Sequence, residues 1–321
     1  MKRIVVLGGS GFVGASVCEQ LVAHPQLAGV SVVVPSRRRE KAKHLLPLPS
    51  VHVQQASVHS NADLDHVLRG ADVVINLIAI LHGSASDFER AHVTLARRLV
   101  ESCRREQVHR VIHVSALGVP EAAKSAPSHY LRTKAEGEAV WRQSGLDVTV
   151  LRPSVIFGAR DRFMNLFAQL QAVLPVVAPA GADARFQPVW VEDVARAIVH
   201  AVLNPQTAGQ TIECAGPDVF TLADLVKLAG RCSGHERPVL PVPMGVGRMQ
   251  AALMAFLPGE PLMSSDNLDS MRVPNVASGL LPDLKDIGIE SASLKALGPM
   301  YLGRPQTWTD RLNAWRAAAG R

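Results

Sequence analysis

Aromatic residues make up only 4% of this 321-residue chain, too few for the stacking platforms on which proteins hold single-stranded nucleic acid. Cysteine is also scarce. Its four copies, Cys18, Cys103, Cys214 and Cys232, stand far apart with no paired spacing. That excludes a disulfide framework and implies reduced thiols in a reducing compartment. Three of them fall in helix-like segments, where a buried thiol acts as a small hydrophobe. His44, His52, His59, His66 and His82 show no metal-ligand spacing, so no metal is expected. No apolar run approaches the roughly 20 residues of a membrane span. The opening Met1-Lys2-Arg3 leads into an apolar stretch that stops at Gly8, too short for the hydrophobic region of a signal peptide. A cytoplasmic location is the expectation. The net charge of +6 is dispersed, and its densest run, Arg37-Arg38-Arg39 with Lys41 and Lys43, is too short for a nucleic-acid arm. No nucleic-acid partner is expected.

What the chain does have is rhythm. Ile4–Leu7, Val30–Val34, Val51–Gln55, Asp72–Leu77, Arg110–Ser115 and Asp147–Leu151 are continuous Val/Ile-rich runs, as suits parallel strands buried on both faces. Between them Phe12–Ala23, Ala62–Leu68, Phe88–Glu106 and Tyr130–Gln143 carry helical spacing. This alternation predicts an α/β fold, a doubly wound parallel sheet. After Leu151 the character changes, and most of the 21 prolines lie there. Val191–Val202 and Leu222–Ala229 still read as helices and Thr211–Ala215 as a strand. The expected organisation is a nucleotide-binding domain over 1–152, with 186–215 returning to the sheet. Residues 153–185 and 216–321 form a smaller substrate or partner lobe.

Three constellations carry chemistry. Gly8-Gly9-Ser10-Gly11-Phe12-Val13-Gly14 follows the first strand directly and opens the first helix. Gly8 permits the tight turn, Gly11 lets backbone approach a pyrophosphate, and Gly14 allows helix–strand packing. The helix N-terminus then offers free N–H groups to phosphate, although a tight turn with nothing bound uses the same residues. Where an NAD-binding sheet places an acid at the end of strand two, this chain has Ser36-Arg37-Arg38. A hydroxyl and a guanidinium suit the 2′-phosphate of NADP(H), favouring it over NAD(H); the competing reading is a solvated basic loop. The third is Tyr130-x-x-x-Lys134, one turn apart on a helix face, where a lysine can hold a phenol ready to pass a proton. A surface Tyr/Lys pair has the same spacing.

With the run Leu151-Arg152-Pro153-Ser154-Val155-Ile156-Phe157-Gly158, these features resemble an extended or atypical short-chain dehydrogenase/reductase with a Rossmann sheet. Further stretches resemble the group containing the accessory NAD(P)H-binding subunit of mitochondrial complex I and its bacterial relatives. These are His113-Val114-Ser115-Ala116-Leu117-Gly118, Lys134-Ala135-Glu136-Gly137-Glu138, Asp161-Arg162-Phe163 and the run from Phe186 to Ala195. The resemblance covers residues 1 to about 225 and is loose beyond. It implies that Gly8, Ser10, Gly11, Phe12 and Val13 surround the pyrophosphate, and that Arg37 with Ser36 or Arg38 meets the 2′-phosphate. Ser57, Val58 and Leu77 complete the cofactor lining. Lys134 would bond the nicotinamide ribose, backbone after Pro153 the carboxamide, and Tyr130 would act as general acid/base. The sequence departs from the family at three points. The catalytic Ser/Thr position is Leu117, leaving Ser115, two residues early, as the third catalytic candidate. His92 stands for a frequent Asn, and Ala56-Ser57 for Gly-Asp.

Two functions follow from the resemblance. One is a protein that holds NADP(H) mainly as a bound ligand with weak or no turnover, linked to quinone or respiratory metabolism. The other is an active NADPH-dependent reductase, or an epimerase/dehydratase-like enzyme, using Tyr130 and Lys134 on a small molecule or quinone. Among the remaining polar residues, His113 reads as a packed core histidine. Asp161, between two arginines, reads as a solvated, salt-bridged loop, with a basic substrate rim as the alternative. Glu192-Asp193 reads as an acidic helix start. At the C-terminus Thr307 and Asp310 suggest a capping box, and Trp308, Leu312, Trp315 and Ala319 an apolar stripe. That helix is expected either to dock on the small lobe or to make a peripheral membrane or protein contact.

Overall fold

A computed structural model describes residues 1–254 and 263–302; the expected C-terminal helix around Trp308 and Trp315 lies outside the described residues. The first half runs β1 (Arg3–Leu7), α1 (Phe12–Ala23), β2 (Ser31–Ser36), β3 (Val51–Gln55), α2 (Asn61–Leu68), β4 (Val73–Asn76), α3 (Ala85–Glu89), α4 (Leu95–Arg105), β5 (Arg110–Val114), α5 (His129–Arg142) and β6 (Asp147–Pro153). The second half adds β7 (Ile156–Phe157), α6 (Met164–Val173), β8 (Arg185–Phe186), β9 (Val189–Trp190), α7 (Val191–Leu203), β10 (Thr211–Cys214), β11 (Phe220–Thr221), α8 (Leu222–Ser233), α9 (Met244–Met254), α10 (Ser265–Ser270) and α11 (Leu294–Leu302).

Seven strands pair in parallel in the order β10-β6-β5-β4-β1-β2-β3. Successive side chains of a strand point to opposite faces, and both faces here are covered. Ile4 and Val6 of β1 join Val32, Ile75 and Ile112 under α1 and α7, against Val17, Leu21 and Ile198. Val5 and Leu7 join Val33, Val74 and Val111 on the opposite face, against Leu64, Leu99 and Trp141 of α2, α4 and α5. Two buried faces explain why the strands read as continuous apolar runs rather than alternating ones. The strand order reverses between β1 and β4, the point at which open α/β sheets form a binding crevice beyond their strand ends.

The second half returns to the sheet through α7 and β10, which pairs with β6, and builds a separate core around Phe157, Met164, Phe186, Phe220, Leu225 and Leu294. The two-residue pairs β7–β9 and β8–β11 are too short to show a period, and the helices α6, α9, α10 and α11 are additional to the elements expected from the sequence. The expected single helix Phe88–Glu106 is interrupted by a π-helical turn, Arg90–Thr94. Its cause is close packing with α5, since a Cβ added at Gly137 would lie 2.6 Å from the His92 carbonyl oxygen.

Asp161 is neither a solvated loop residue nor part of a substrate rim. It is buried, and its carboxylate accepts hydrogen bonds from the backbone N–H groups of Gly158, Met164 and Asn165 and from the Tyr301 hydroxyl. The start of α6, not the neighbouring arginines, decides its place. Asp193 likewise does more than open a helix: fully buried, it accepts the Ala292 N–H at 2.7 Å and pairs with Arg196.

Helix α5 is anchored to β6 by Glu138. Its carboxylate is buried and takes both arms of the Arg152 guanidinium, Nε to Oε1 at 3.0 Å and Nη2 to Oε2 at 2.7 Å. Removing one member of a buried pair strands the other's charge. Glu138→Ala is expected to cost about 3–5 kcal/mol in urea unfolding; a loss below about 1 kcal/mol would show that α5 is held by packing alone.

Candidate functional site

The β1–α1 turn is built from short-range constraints. Gly8 has φ +82°, Gly9 N–H donates to Val6 O, and Gly11 N–H donates to Gly8 O at 3.0 Å. A Cβ at Gly14 would fall 2.4 Å from Gly8 O, so helix and turn can meet only without one. Gly9, to which the sequence assigns no role, is required as well: its Cβ would sit 2.9 Å from both Val34 methyl groups of β2. Helix α1 has Gly11 at its N-cap, with no side-chain cap and no acid in its first turn. Its first N–H groups therefore face the crevice without an acceptor, the arrangement a pyrophosphate satisfies. Ser10, Phe12 and Val13 stand half-buried along this edge, and Leu77 of the β4 loop abuts Gly8.

At the end of β2, the Ser36 hydroxyl donates to Arg38 O at 2.9 Å and so shapes the loop. Arg37 and Arg38 are exposed and form no ion pair among the described residues. Two further basic groups, without a signal in the sequence, complete the cluster. Arg98 of α4 donates to His59 O at 2.7 Å. Partial burial, then the fields of Arg37, Arg98 and Arg90, hold His59 below its ordinary pKa. Ser57 and Val58 are half-buried between them. Ser57 N–H is committed to the Asp63 carboxylate at 2.8 Å, and its hydroxyl accepts from His59 N–H.

Across the crevice, α5 brings Tyr130 and Lys134 together beneath a polar layer. Lys134 Nζ is buried, donates to Val114 O at 3.2 Å and lies 6.0 Å from the Tyr130 ring centre. Burial lowers this lysine to about 8 despite the opposing charge of Glu138. Burial also raises the Tyr130 phenol above its ordinary value, so the phenol is held protonated, able to donate but poor as a base. Its ring packs edge-on against His92 at 5.6 Å and Phe88 at 6.2 Å. His92 Nε2 accepts Ile80 N–H, leaving Nδ1 to donate to Thr133 Oγ1 at 2.9 Å. Burial first, and Lys134 second, push it down to about 3. A neutral, doubly bonded imidazole ties the loop after β4 to α5, which is a structural task. His113 is buried as expected, set against Asn76 and Trp141.

The third catalytic candidate stands differently. Ser115 is buried and its hydroxyl has no partner among the described residues. Leu117, two residues on, is held by backbone and amide contacts, its N–H donating to Pro153 O and its carbonyl accepting from Asn275 Nδ2. Pro153 is buried at the end of β6, but the two N–H groups that follow it are already occupied: Ser154 N–H by Cys214 O and Val155 N–H by Asn275 Oδ1. Two residues invisible to sequence reasoning close this wall. Asn275 joins the loops after β5 and β6. Asp266 of α10 accepts the N–H groups of His129 and Tyr130 and caps α5. Among the described residues no group of His, Cys, Asp or Glu could hold a metal.

An NAD(P)H-binding family matches residues 8–205, more than half of the chain, including the glycine turn, the Arg37–Arg38 loop and the Tyr130/Lys134 pair. The chain belongs to the NAD(P)H-binding family. A curated relative, NADH dehydrogenase [ubiquinone] 1 alpha subcomplex subunit 9 of mouse mitochondria, is 30% identical over 94% of this chain and 80% of its own length. Two solved structures share the fold. The NADPH-dependent quinone oxidoreductase of Escherichia coli, complexed with NADPH, has a TM-score of 0.73 at 19% identity, covering 93% of this chain and 99% of that one. The UDP-glucuronic acid 4-epimerase of Bacillus cereus, with UDP-glucuronic acid and NAD, has a TM-score of 0.64 at 20% identity, covering 89% and 99%. The chain is thus an NAD(P)H-binding protein related to a complex I subunit, with the fold of these two oxidoreductase-type structures. The uncapped helix, the glycine cradle, the orphaned Ser115 hydroxyl and the unpaired arginines all fit a dinucleotide.

Lys134 supplies a pH signature. Its folded value of about 8 lies below the ordinary 10.5. The unfolded chain therefore binds more protons between those values, and stability contributed through this group rises with pH across that window. Lys134→Met is expected to stabilise the protein at pH 7 by up to about 3 kcal/mol. That advantage should fade as pH climbs from 8 to 10.5. A pH-independent difference in urea unfolding between variant and parent would contradict the buried charge as its cause.

Proposed function

We propose that this protein binds NADP(H) in preference to NAD(H) and keeps it mainly as a bound ligand, with weak or no turnover. The observation that carries the cofactor choice is the pair Arg37 and Arg38, exposed and without a carboxylate partner among the described residues, where an NAD site would place an acid. Arg98 and the His59 loop face the same corner, so a 2′-phosphate would enter a field already short of negative charge. In this reading Gly8, Ser10, Gly11, Phe12 and Val13 hold the pyrophosphate on the α1 N-terminus, Ser57, Val58 and Leu77 border the adenosine, and Lys134 holds the nicotinamide ribose.

Low turnover rests on what surrounds Tyr130. A bound nicotinamide supplies or accepts a hydride. The protein must then move a proton at the substrate oxygen, and Tyr130 is the residue placed to do so. No hydroxyl stands at 117 to share the substrate oxygen, and the Tyr130 ring is boxed by His92, Phe88 and the capped start of α5. The similarity to a complex I subunit supports association with a respiratory assembly through a protein partner. The retained Tyr130/Lys134 pair favours the second reading, an NADPH-dependent reductase.

Calorimetric titration tests the cofactor choice. A charge-assisted contact contributes about 1.5–3 kcal/mol, so Arg37→Ala is expected to weaken NADPH about tenfold or more and leave NADH unchanged. Equal affinity of the parent protein for the two nucleotides would overturn the preference.

A further inference from the structure

The C-terminal half holds a concavity of its own, lined by residues within 181–185, 241–244 and 271–274. It has a volume of about 520 Å³, within the ~300–1,000 Å³ range of small-molecule sites. Its floor is apolar and adaptable. Val242, Met244 and Met271 line it, and the turn at Gly181, φ +68°, lies where an added Cβ would meet the sulfur of Met271 at 3.2 Å and that of Met244 at 3.7 Å. Methionine thioethers conform to irregular apolar shapes.

The rim is charged and unbalanced. Arg185 and Arg272 line the cavity together with Asp183, a surplus of one positive charge among the described residues. All three are exposed, and none takes part in an ion pair among the described residues. A guanidinium that has no partner and borders an apolar cavity presents a ready two-pronged donor for an oxyanion. We propose that this cavity binds a free amphipathic monoanion, an apolar body with one carboxylate-like head. The body lies on Met244 and Met271 and the head meets Arg185 and Arg272. The concave shape and the volume match a single soluble molecule. The strap that carries Met271 and Arg272 also carries Val273, which packs on the cluster around Tyr130 and touches Gly118. An occupant would thus rest against the segment that walls the nicotinamide end of the crevice. The assignment does not depend on which dinucleotide the crevice takes.

Decanoate, kept below its aggregation threshold, is the probe, with decanamide as the neutral isostere and acetate as the head alone. Calorimetry should show one decanoate per chain, at least tenfold weaker binding of decanamide, and no detectable acetate. Arg185→Gln and Arg272→Gln should each weaken decanoate about tenfold. Both side chains are exposed and without an ion-pair partner among the described residues, so melting temperature and NADPH affinity should stay at parental values. A parallel arm measures co-sedimentation with phosphatidylglycerol vesicles. Absence of decanoate binding, or binding unchanged in both arginine variants, overturns the proposal. So does an arginine-dependent attachment to vesicles without decanoate binding, which would assign the site to a lipid surface instead.

Discussion

The buried ion pair between Glu138 and Arg152 fixes where helix α5 lies on the sheet, and the placement of Tyr130 and Lys134 depends on that position. Arg152 lies one residue before Pro153, which ends β6, so one guanidinium links the helix to the C-terminal end of that strand. On the same helix Lys134 reaches back to Val114 O, Thr133 meets His92, and Gly137 lets the π-helical turn close in. A buried charge without its partner costs several kcal/mol, so the pair serves position as much as stability.

Two halves of the crevice stand in different states of completeness. The phosphate-binding half has all that a dinucleotide needs: a glycine turn that excludes side chains, an uncapped helix start and unpaired arginines. The half around α5 brings a tyrosine and a lysine together, with no side-chain hydroxyl at Leu117 and with His92 neutral and hydrogen-bonded at both ring nitrogens. Its tyrosine is held protonated by burial, and the same burial weakens the charge on its lysine. Together the two halves support the proposal of binding without much chemistry.

Much of this is legible from residues alone, because the first half obeys local rules. Strand runs at fixed spacing and glycines at 8, 11 and 14 follow from backbone geometry, and the sequence bounds helix α1 at the ends the structure has. What escapes is set by long-range contact. Asp161 reads as surface beside two arginines, yet backbone N–H groups and Tyr301 from a distant helix bury it. The roles of Asp266 and Asn275 rest on partners more than 100 residues away. The break at His92 needs the neighbouring α5, and the two-residue strands of the second half are too short to show a period. Gly9 carries no local signal of its own, because the clash that demands it lies on another strand, at Val34.

Whether the bound cofactor reacts separates a ligand-holding protein from a catalyst. The direct measurement is a single-turnover experiment: protein loaded with NADPH, mixed rapidly with a short-chain quinone, and followed at the reduced-nicotinamide absorbance band. A protein that keeps its cofactor as a ligand should oxidise it no faster than free NADPH under the same conditions, and at the same rate in Tyr130→Phe. Rapid oxidation on the protein that is lost in Tyr130→Phe would contradict this and make the chain a working reductase.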